Sequence, residues 1–169
     1  MKRIIYMVFM NLFHAPVWLL KIARMARPGD NHTMQQRYDY IAEMTRRIIK
    51  RGRVTIKVTG VEHIPEKDGF MLFPNHQGLF DVLALFSTCP KALSVVIKKE
   101  ASGWILVKQV LGATGSLAMD RKDMKDQVRI IGEVTRLVKE GRNFVIFAEG
   151  HRSRKGNEIL DFKSGTFKS

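Results

Sequence analysis

An imidazole and a carboxylate lie five residues apart in the segment 75–81, at His76 and Asp81. An imidazole titrates near neutral pH, so it is the side chain best suited to take a proton from an attacking hydroxyl group. A neighbouring carboxylate can hold the imidazole in one tautomer and stabilise the imidazolium ion that forms. The pair could therefore act as a general base. For His76 alone, a loop histidine bonded to the backbone is an equally good interpretation.

The spacing of the pair limits the structure around it. On a continuous helix, five residues turn the chain by about 500°, which leaves the two side chains about 140° apart. They can meet only if His76 lies in a loop and Asp81 lies in the first turn of the next helix. Pro74, Asn75 and Gly78 favour such a loop directly after the apolar run 70–73. The pattern predicts a site at the carboxyl end of a strand, where α/β proteins commonly bind ligands.

A second group of polar residues follows the apolar run 144–147. Gly150 would let the backbone approach a ligand closely. Arg152 could bind a phosphate through two parallel hydrogen bonds, with Ser153 as an added donor. Glu149 is expected to hold the loop or to orient a cation. A charged surface turn is the alternative interpretation of this segment.

A third group is led by Gly115 and ends at Arg121. The short apolar run 116–119 predicts a strand that delivers Arg121 to its carboxyl end. The alternative is a surface ion pair between Arg121 and Asp120 or Asp123. Three such groups, each following a predicted strand, are more specific together than any one of them alone.

The alternation of apolar runs and helical patterns predicts the fold. Strands are predicted at 54–60, 70–73, 93–97, 116–119 and 144–147. Helices are predicted at 33–50, 81–86 and 102–111, and from an N-cap at Asp123 to Gly141, with a stripe at Val128, Ile131, Val134 (or Thr135) and Val138. This order is typical of an α/β fold with a mixed, largely parallel sheet flanked by helices.

The chain opens on a nearly continuous apolar stretch, residues 4–20, with basic residues on both sides. Its length is at the lower limit for a membrane span, and Pro16 favours a bend. We therefore predict a helical membrane-associating segment at 1–29, either interfacial or re-entrant. A helix that packs on the domain is the alternative. A turn at 28–31 then leads to a basic amphipathic helix, so the predicted division is 1–29, 30–52 and 53–169.

The charge of the chain narrows the classes of partner. The formal net charge is +13, and residues 1–53, with 11 Lys/Arg and 3 Asp/Glu, carry +8 of it. Basic surface beside apolar sequence favours anionic lipid headgroups, and the chain has no nucleic-acid recognition motif. It also lacks the Gly-x-Ser-x-Gly turn of many serine hydrolases. The five histidines show no metal-ligand spacing, and the single cysteine, Cys89, is expected in the core.

Taken together, these groups resemble the motifs of the lysophosphatidic acid acyltransferase (1-acylglycerol-3-phosphate acyltransferase) family. The first motif of that family, Asn-His-x-x-x-x-Asp, is matched by Asn75, His76 and Asp81. The second is a glycine-led strand that ends in arginine, matched by Gly115 and Arg121.

The third motif is typically Phe-Pro-Glu-Gly-Thr-Arg-Ser. It is matched at Phe147, Glu149, Gly150, Arg152 and Ser153, whereas Ala148 and His151 replace its proline and threonine. The resemblance covers roughly residues 53–169. The fourth motif of the family, an apolar strand with a proline, would follow Ser169, so the C-terminal part of the domain is expected to be missing.

The resemblance implies an enzyme that moves a fatty acyl group from acyl-CoA or acyl-acyl carrier protein to the free hydroxyl of 1-acylglycerol 3-phosphate, giving phosphatidic acid. His76 and Asp81 would be catalytic. The implied substrate-binding residues are Asn75, Gly115, Arg121, Glu149, Gly150, Arg152 and Ser153. No cofactor, metal or nucleic acid is implied. The expected partners are membrane lipids and the two substrates, at the cytoplasmic face of the cell membrane. The alternatives are another lysolipid acceptor and a non-catalytic basic protein that binds membranes or nucleic acid.

Overall fold

A computed structural model of the chain describes residues 2–76, 78, 80–147 and 149. Its strands are β1 (Met71–Leu72), β2 (Leu93–Lys98), β3 (Leu117–Met119) and β4 (Asn143–Val145). They form one sheet in the order β1–β4–β2–β3, and each neighbouring pair is parallel. The predicted α/β fold is therefore confirmed. Because the described strands run in one direction, their carboxyl ends share one edge of the sheet.

Helices cover both faces of this sheet. They are α1 (Lys2–Asn11), α2 (Ala15–Met25), α3 (Met34–Arg51), α4 (Phe80–Thr88), α5 (Lys99–Ser102), α6 (Ile105–Thr114) and α7 (Met124–Lys139). Alternate residues of a strand point to opposite faces. Accordingly, Val145 and Phe147 belong to the core under α2, α3 and α6, whereas Phe144 and Ile146 belong to the core under α7.

Local sequence explains where the two longest helices begin. Thr33 and Gln36 form a reciprocal capping box at the start of α3. The Asp123 carboxylate accepts a hydrogen bond of 2.9 Å from the backbone N–H of Lys125 at the start of α7, as the sequence predicts. On α3 the buried stripe includes Tyr38, whose hydroxyl donates to the backbone carbonyl of Cys89 at 3.2 Å. This bond joins α3 to the loop after α4.

The N-terminal segment forms two helices that share the core of the domain. The buried side chains of Trp18 and Ile22 place one face of α2 in the same core cluster as Tyr38 and Val145. The other side of α1, α2 and the turn between them exposes many large apolar side chains, among them Ile5, Val8, Phe9, Leu12, Phe13, Val17 and Leu20. Among the described residues, no single helix has the length and apolar character to cross a bilayer. Only when α1 and α2 are taken together are the length and the apolar character sufficient, and the two helices are bent by 80° relative to each other.

Three local predictions differ from the structure. Residues 54–60 alternate in polarity but pair with no described strand. Alternation indicates that one face is partly buried, but it does not indicate that a neighbouring strand is available for hydrogen bonding. The helix predicted at 102–111 is present as α6, but it begins later, at Ile105, after a break at Gly103 and Trp104, and ends at Thr114. Val128, placed in the buried stripe of α7, is exposed, and the buried positions are Ile130, Val134 and Leu137.

Candidate active site

The structure brings His76 and Asp81 into direct contact. His76 lies in the loop after β1, and Asp81 lies in the first turn of α4. The His76 Nδ1 and Asp81 Oδ2 atoms are 2.9 Å apart. The backbone N–H of Gly78 donates to the same carboxylate oxygen at 2.9 Å. The loop therefore binds one oxygen of the Asp81 carboxylate through two groups, which fixes the direction of the carboxylate.

The contact also fixes the imidazole chemically. A carboxylate beside Nδ1 favours the tautomer in which Nδ1 carries the proton and Nε2 keeps a lone pair. The two side chains are largely buried, with 17% and 21% of their surface exposed. A base partly removed from water has fewer competing solvent partners, so the arrangement can accept a proton from a hydroxyl placed at Nε2.

A ring contact that the sequence analysis did not identify supports the imidazole from the side. The ring centroids of His76 and Phe147 are 4.4 Å apart, with the planes tilted by 38°. Phe147 follows β4, which pairs with β1 in parallel, so both residues leave the same edge of the sheet. The signal was present in the sequence as an aromatic residue at the end of a buried strand. Its partner could not be inferred without the order of the strands.

Glu149 lies at the same edge and is nearly inaccessible, with 1% of its surface exposed. Neither carboxylate oxygen has a hydrogen-bond partner among the residues that the structure describes. A buried carboxylate without donors is costly, so this position calls for a donor from a ligand or from the following loop. Gly150, Arg152 and Ser153, the other predicted residues of this group, lie outside the described residues.

Arg121 lies at the carboxyl edge as well, two residues beyond β3. Its side chain is exposed to solvent, yet the protein atoms around its guanidinium desolvate it and lower its pKa, and the nearby charge of Glu100 opposes that shift. Gln127 Nε2 donates to the Arg121 carbonyl at 3.0 Å and steadies this turn. Since β3 is three strand positions from β1, about 14 Å separates the two strands. Arg121 is thus at the same edge as His76 but not beside it.

The structure does not bring Gly115 to this edge. Gly115 ends α6 in the left-handed conformation, with φ of +55°, and precedes β3 at the opposite edge of the sheet. A Cβ at this position would lie 2.3 Å from the guanidinium of Arg142. The structure therefore gives Gly115 a conformational role away from the site edge, and substrate binding by this residue stays a prediction that its position does not favour. Asn75 does lie at the site edge, exposed and next to His76.

Two grooves of the described surface lie away from the histidine. The larger, about 560 Å³, is lined by basic and apolar residues of α3 and the segment after it. The smaller, about 260 Å³, lies at the amino edge beside Arg142 and Asn143. Neither is lined by a predicted site residue. Because the larger groove contains no side chain able to act as a base near neutral pH, we assign the chemistry from the contact between His76 and Asp81.

Metal chemistry has little support in the described part of the chain. Groups of three or more His, Cys, Asp and Glu side chains that could hold an ion are absent from it. The pair formed by His76 and Asp81 supplies one nitrogen and one carboxylate, fewer protein ligands than a catalytic zinc site normally has. The arrangement is better suited to proton transfer.

Comparisons with known proteins agree with this geometry. A family model described as Acyltransferase matches residues 55–169. A 1-acyl-sn-glycerol-3-phosphate acyltransferase of Helicobacter pylori is 33% identical over 91 residues, which are 54% of this chain and 38% of that protein. The alpha form of the human enzyme of that name is 26% identical over 115 residues, 68% of this chain and 40% of that protein. The chain spans less than half the length of these curated relatives.

A solved structure shares the fold. The crystal structure of the 1-acyl-sn-glycerophosphate (LPA) acyltransferase PlsC from Thermotoga maritima superposes with a TM-score of 0.72. The match covers 96% of this chain and 65% of that one, at 20% sequence identity. The likeness therefore extends through α1 and α2 as well as the sheet.

Proposed function

Because the chain belongs to the acyltransferase family, whose model matches more than half of its residues, we propose that it transfers a fatty acyl group to the free hydroxyl of 1-acylglycerol 3-phosphate. The product is phosphatidic acid. The observation that carries this proposal is the contact of 2.9 Å between His76 and Asp81 at the carboxyl edge of the sheet. The names of the curated relatives support the choice of acceptor.

The proposed reaction is one proton transfer coupled to one substitution. The acceptor hydroxyl gives its proton to His76 Nε2 as its oxygen attacks the carbonyl carbon of an acyl thioester. The carbon–sulfur bond breaks, and the imidazolium returns the proton to the leaving thiolate, so atoms and charge balance. Asp81 holds Nδ1 and stabilises the imidazolium ion. The reaction needs neither a cofactor nor an acyl-enzyme, and the thioester is carried by coenzyme A or acyl carrier protein.

Cationic groups at the same edge would bind the phosphate of the acceptor. Arg121 supplies one guanidinium group there. Arg152 would supply a second, with the Gly150 backbone and Ser153 as further donors. Glu149, buried without a described donor, would accept a hydrogen bond from that loop and orient it. Asn75, exposed beside His76, would contact the acceptor next to the reacting hydroxyl.

Membrane lipids are the proposed surroundings of the enzyme. The exposed apolar side chains of α1 and α2, with the excess positive charge of residues 1–53, suit the interface of an anionic leaflet. We place the enzyme at the cytoplasmic face of the cell membrane, held peripherally or by its N-terminal segment.

The test is acyl transfer by purified protein on mixed micelles, with 1-acylglycerol 3-phosphate as acceptor and either thioester as donor. His76→Ala should lower kcat by about 10²–10⁴-fold, the usual contribution of general acid–base catalysis. His63→Ala, at an exposed histidine that ends the short 3-10 helix Val61–His63, is the matched control and should retain activity. Transfer by His76→Ala above about a hundredth of wild type would contradict the general-base role.

A second arm tests the acceptor. Arg121→Ala should raise KM for 1-acylglycerol 3-phosphate by about 10-fold or more, since a charge-assisted hydrogen bond contributes about 1.5–3 kcal/mol. Lys122→Ala, at the neighbouring exposed cation, is the control. A monoacylglycerol without phosphate should be a poor acceptor for wild type and equally poor for Arg121→Ala. Equal use of both acceptors by wild type, or no transfer to any acceptor, would refute the proposed function.

A further inference from the structure

Three large apolar side chains are exposed at the start of α6. Trp104, Ile105 and Leu106 are 55%, 71% and 39% exposed. They follow β2 after only the short helix α5, so they lie at the carboxyl edge of the sheet. This is the edge that carries His76 and Arg121. We call these three residues the α6 apolar turn.

The first turn of α6 lacks the polar groups that usually begin a helix in water. Trp104 occupies the N-cap position without a side-chain hydrogen bond, and no acidic residue follows in the first turn. By contrast, α3 begins with a capping box at Thr33 and α7 with the carboxylate of Asp123. The apolar turn is therefore poorly matched to water. Its position is nevertheless defined, because Ala113 and Thr114 at the other end of α6 are buried.

Basic side chains surround the apolar turn. Lys98, Lys99 and Lys108 are exposed within ten residues of one another, against a single acidic residue in that stretch, Glu100. Lys99 also lies 3.4 Å from Asp120 on the neighbouring turn. Exposed tryptophan and aliphatic side chains with flanking lysines are the combination that favours the headgroup zone of an anionic bilayer.

The apolar turn is joined to the apolar surface of the N-terminal helices. Helix α6 packs against α2, and a Cβ at Gly112 would contact the Cβ of Ala26 at 3.6 Å. On α2, Val17 and Leu20 are exposed. A lipid surface that contacts α2 can therefore also contact α6, the helix beside it. A soluble partner would have to present an apolar surface to both helices.

We propose that Trp104, Ile105 and Leu106 insert into the headgroup region of an anionic bilayer, as a contact distinct from that of α1 and α2. The contact turns the carboxyl edge of the sheet toward the lipid. An acceptor lipid could then meet His76 while its acyl chain stays in the leaflet. This inference rests on the proposed function only for the choice of lipid as the partner.

Tryptophan fluorescence tests the contact directly. The chain has two tryptophans, and Trp18 is buried at 6% exposure. Vesicles of phosphatidylglycerol and phosphatidylcholine with bromine on the acyl chains should quench wild-type emission and shift it to shorter wavelength. Both changes should be much smaller in Trp104→Phe, which keeps an apolar ring for binding. Equal quenching in the two proteins, or none in either, would overturn the contact.

Vesicle partitioning provides the second measurement. Ile105→Asp should bind the same vesicles about tenfold or more weakly, because it replaces a fully inserted aliphatic side chain by a charge. Val128→Asp is the matched control, since Val128 is 68% exposed on α7 across the sheet; its binding should stay within about twofold of wild type. Equal losses in both variants would refute a specific contact.

The outcomes for the contact and for the proposed function are separable. Transfer to a micellar acceptor without quenching of Trp104 would refute the bilayer contact and leave the enzyme assignment intact. Quenching of Trp104 without any transfer would refute the enzyme assignment and leave the bilayer contact intact. A soluble acidic protein that binds the α6 apolar turn in place of lipid would leave Trp104 unquenched on vesicles, and so would count against the contact.

Discussion

The imidazole of His76 and the carboxylate of Asp81 meet at 2.9 Å because the chain changes from loop to helix between them. On one continuous helix these positions would point about 140° apart. Gly78 contributes twice to the change: its N–H binds the Asp81 carboxylate, and its carbonyl accepts the N–H of Asp81 at 3.3 Å. The pair is thus held by the start of α4 and not only by its own hydrogen bond.

Replacement of Asp81 by asparagine tests what the carboxylate does for the base. An asparagine oxygen could still accept from Gly78 N–H and His76 Nδ1–H, but the amide has no negative charge to stabilise the imidazolium ion. We expect Asp81→Asn to lower kcat by about 10²–10⁴-fold with KM for the acceptor little changed. Steady-state kinetics on mixed micelles measures this. Asp39→Asn, on the exposed face of α3, is the control, and a loss of less than tenfold in Asp81→Asn would contradict the role of the carboxylate in stabilising the imidazolium ion.

The ring of Phe147 should affect catalysis through the position of His76. Phe147→Leu removes the ring contact and should cost about 1–2 kcal/mol of unfolding free energy. It should also lower kcat by about 10- to 100-fold, because small displacements of a catalytic group are expensive. Phe144→Leu is the matched control, since Phe144 is fully buried in β4 and packs on the opposite face of the sheet.

The two phenylalanine variants should therefore separate in activity and not in stability. Thermal unfolding gives the stability of each, and initial rates give kcat. If Phe144→Leu and Phe147→Leu lose activity in proportion to their stability alone, the contact with His76 has no catalytic role.

The sequence predicted the elements of this site better than their neighbours. Buried strands such as Leu93–Lys98 are recognisable because both faces of most of the strand are covered, so the run is mainly apolar. The loop geometry of His76 and Asp81 followed from helix arithmetic. The order β1–β4–β2–β3, in contrast, is set by packing between distant segments, and no local pattern records it. The contact of Phe147 with His76 could not be predicted for that reason.

Gly115 shows the opposite case, a residue that matches a motif but whose position in the fold gives it another role. Its match to a glycine-led strand placed it among substrate-binding residues, yet it precedes β3 while the site follows it. The strand prediction for residues 54–60 was wrong for a similar reason. They have the alternation of a half-buried strand, but a strand also needs a neighbour, and alternation carries no information about one.

The conformational role of Gly115 predicts a stability defect without a binding defect. Alanine there must adopt φ of +55° and would displace the Arg142 guanidinium, which donates to Ser94 Oγ at 2.6 Å and to the Gly115 carbonyl at 2.8 Å. We expect Gly115→Ala to lower the free energy of unfolding by about 1–3 kcal/mol. KM for the acceptor should not change.

The control is Gly132→Ala, in the exposed interior of α7 with open space around it, which should instead raise the free energy of unfolding by about 0.5–1 kcal/mol. A raised KM with unchanged stability in Gly115→Ala would restore the substrate-binding interpretation.

Tyr38 should make the protein sensitive to alkaline pH. Burial, chiefly, and the neighbouring Cys89 raise the pKa of its phenol well above the ordinary value near 10. Below about pH 10 both the folded and unfolded chains keep the phenolic proton, so stability does not depend on it. Above about pH 10 only the unfolded chain releases it, and this lowers the free energy of unfolding by up to about 1.4 kcal/mol for each pH unit.

Tyr38→Phe should be about 1 kcal/mol less stable than wild type at pH 7, because the hydrogen bond of 3.2 Å to the Cys89 carbonyl is lost. Its stability should then fall less steeply than wild type between pH 10 and 11, as measured by urea unfolding. Parallel curves for the two proteins across that range would show that the phenol keeps an ordinary pKa in the folded state.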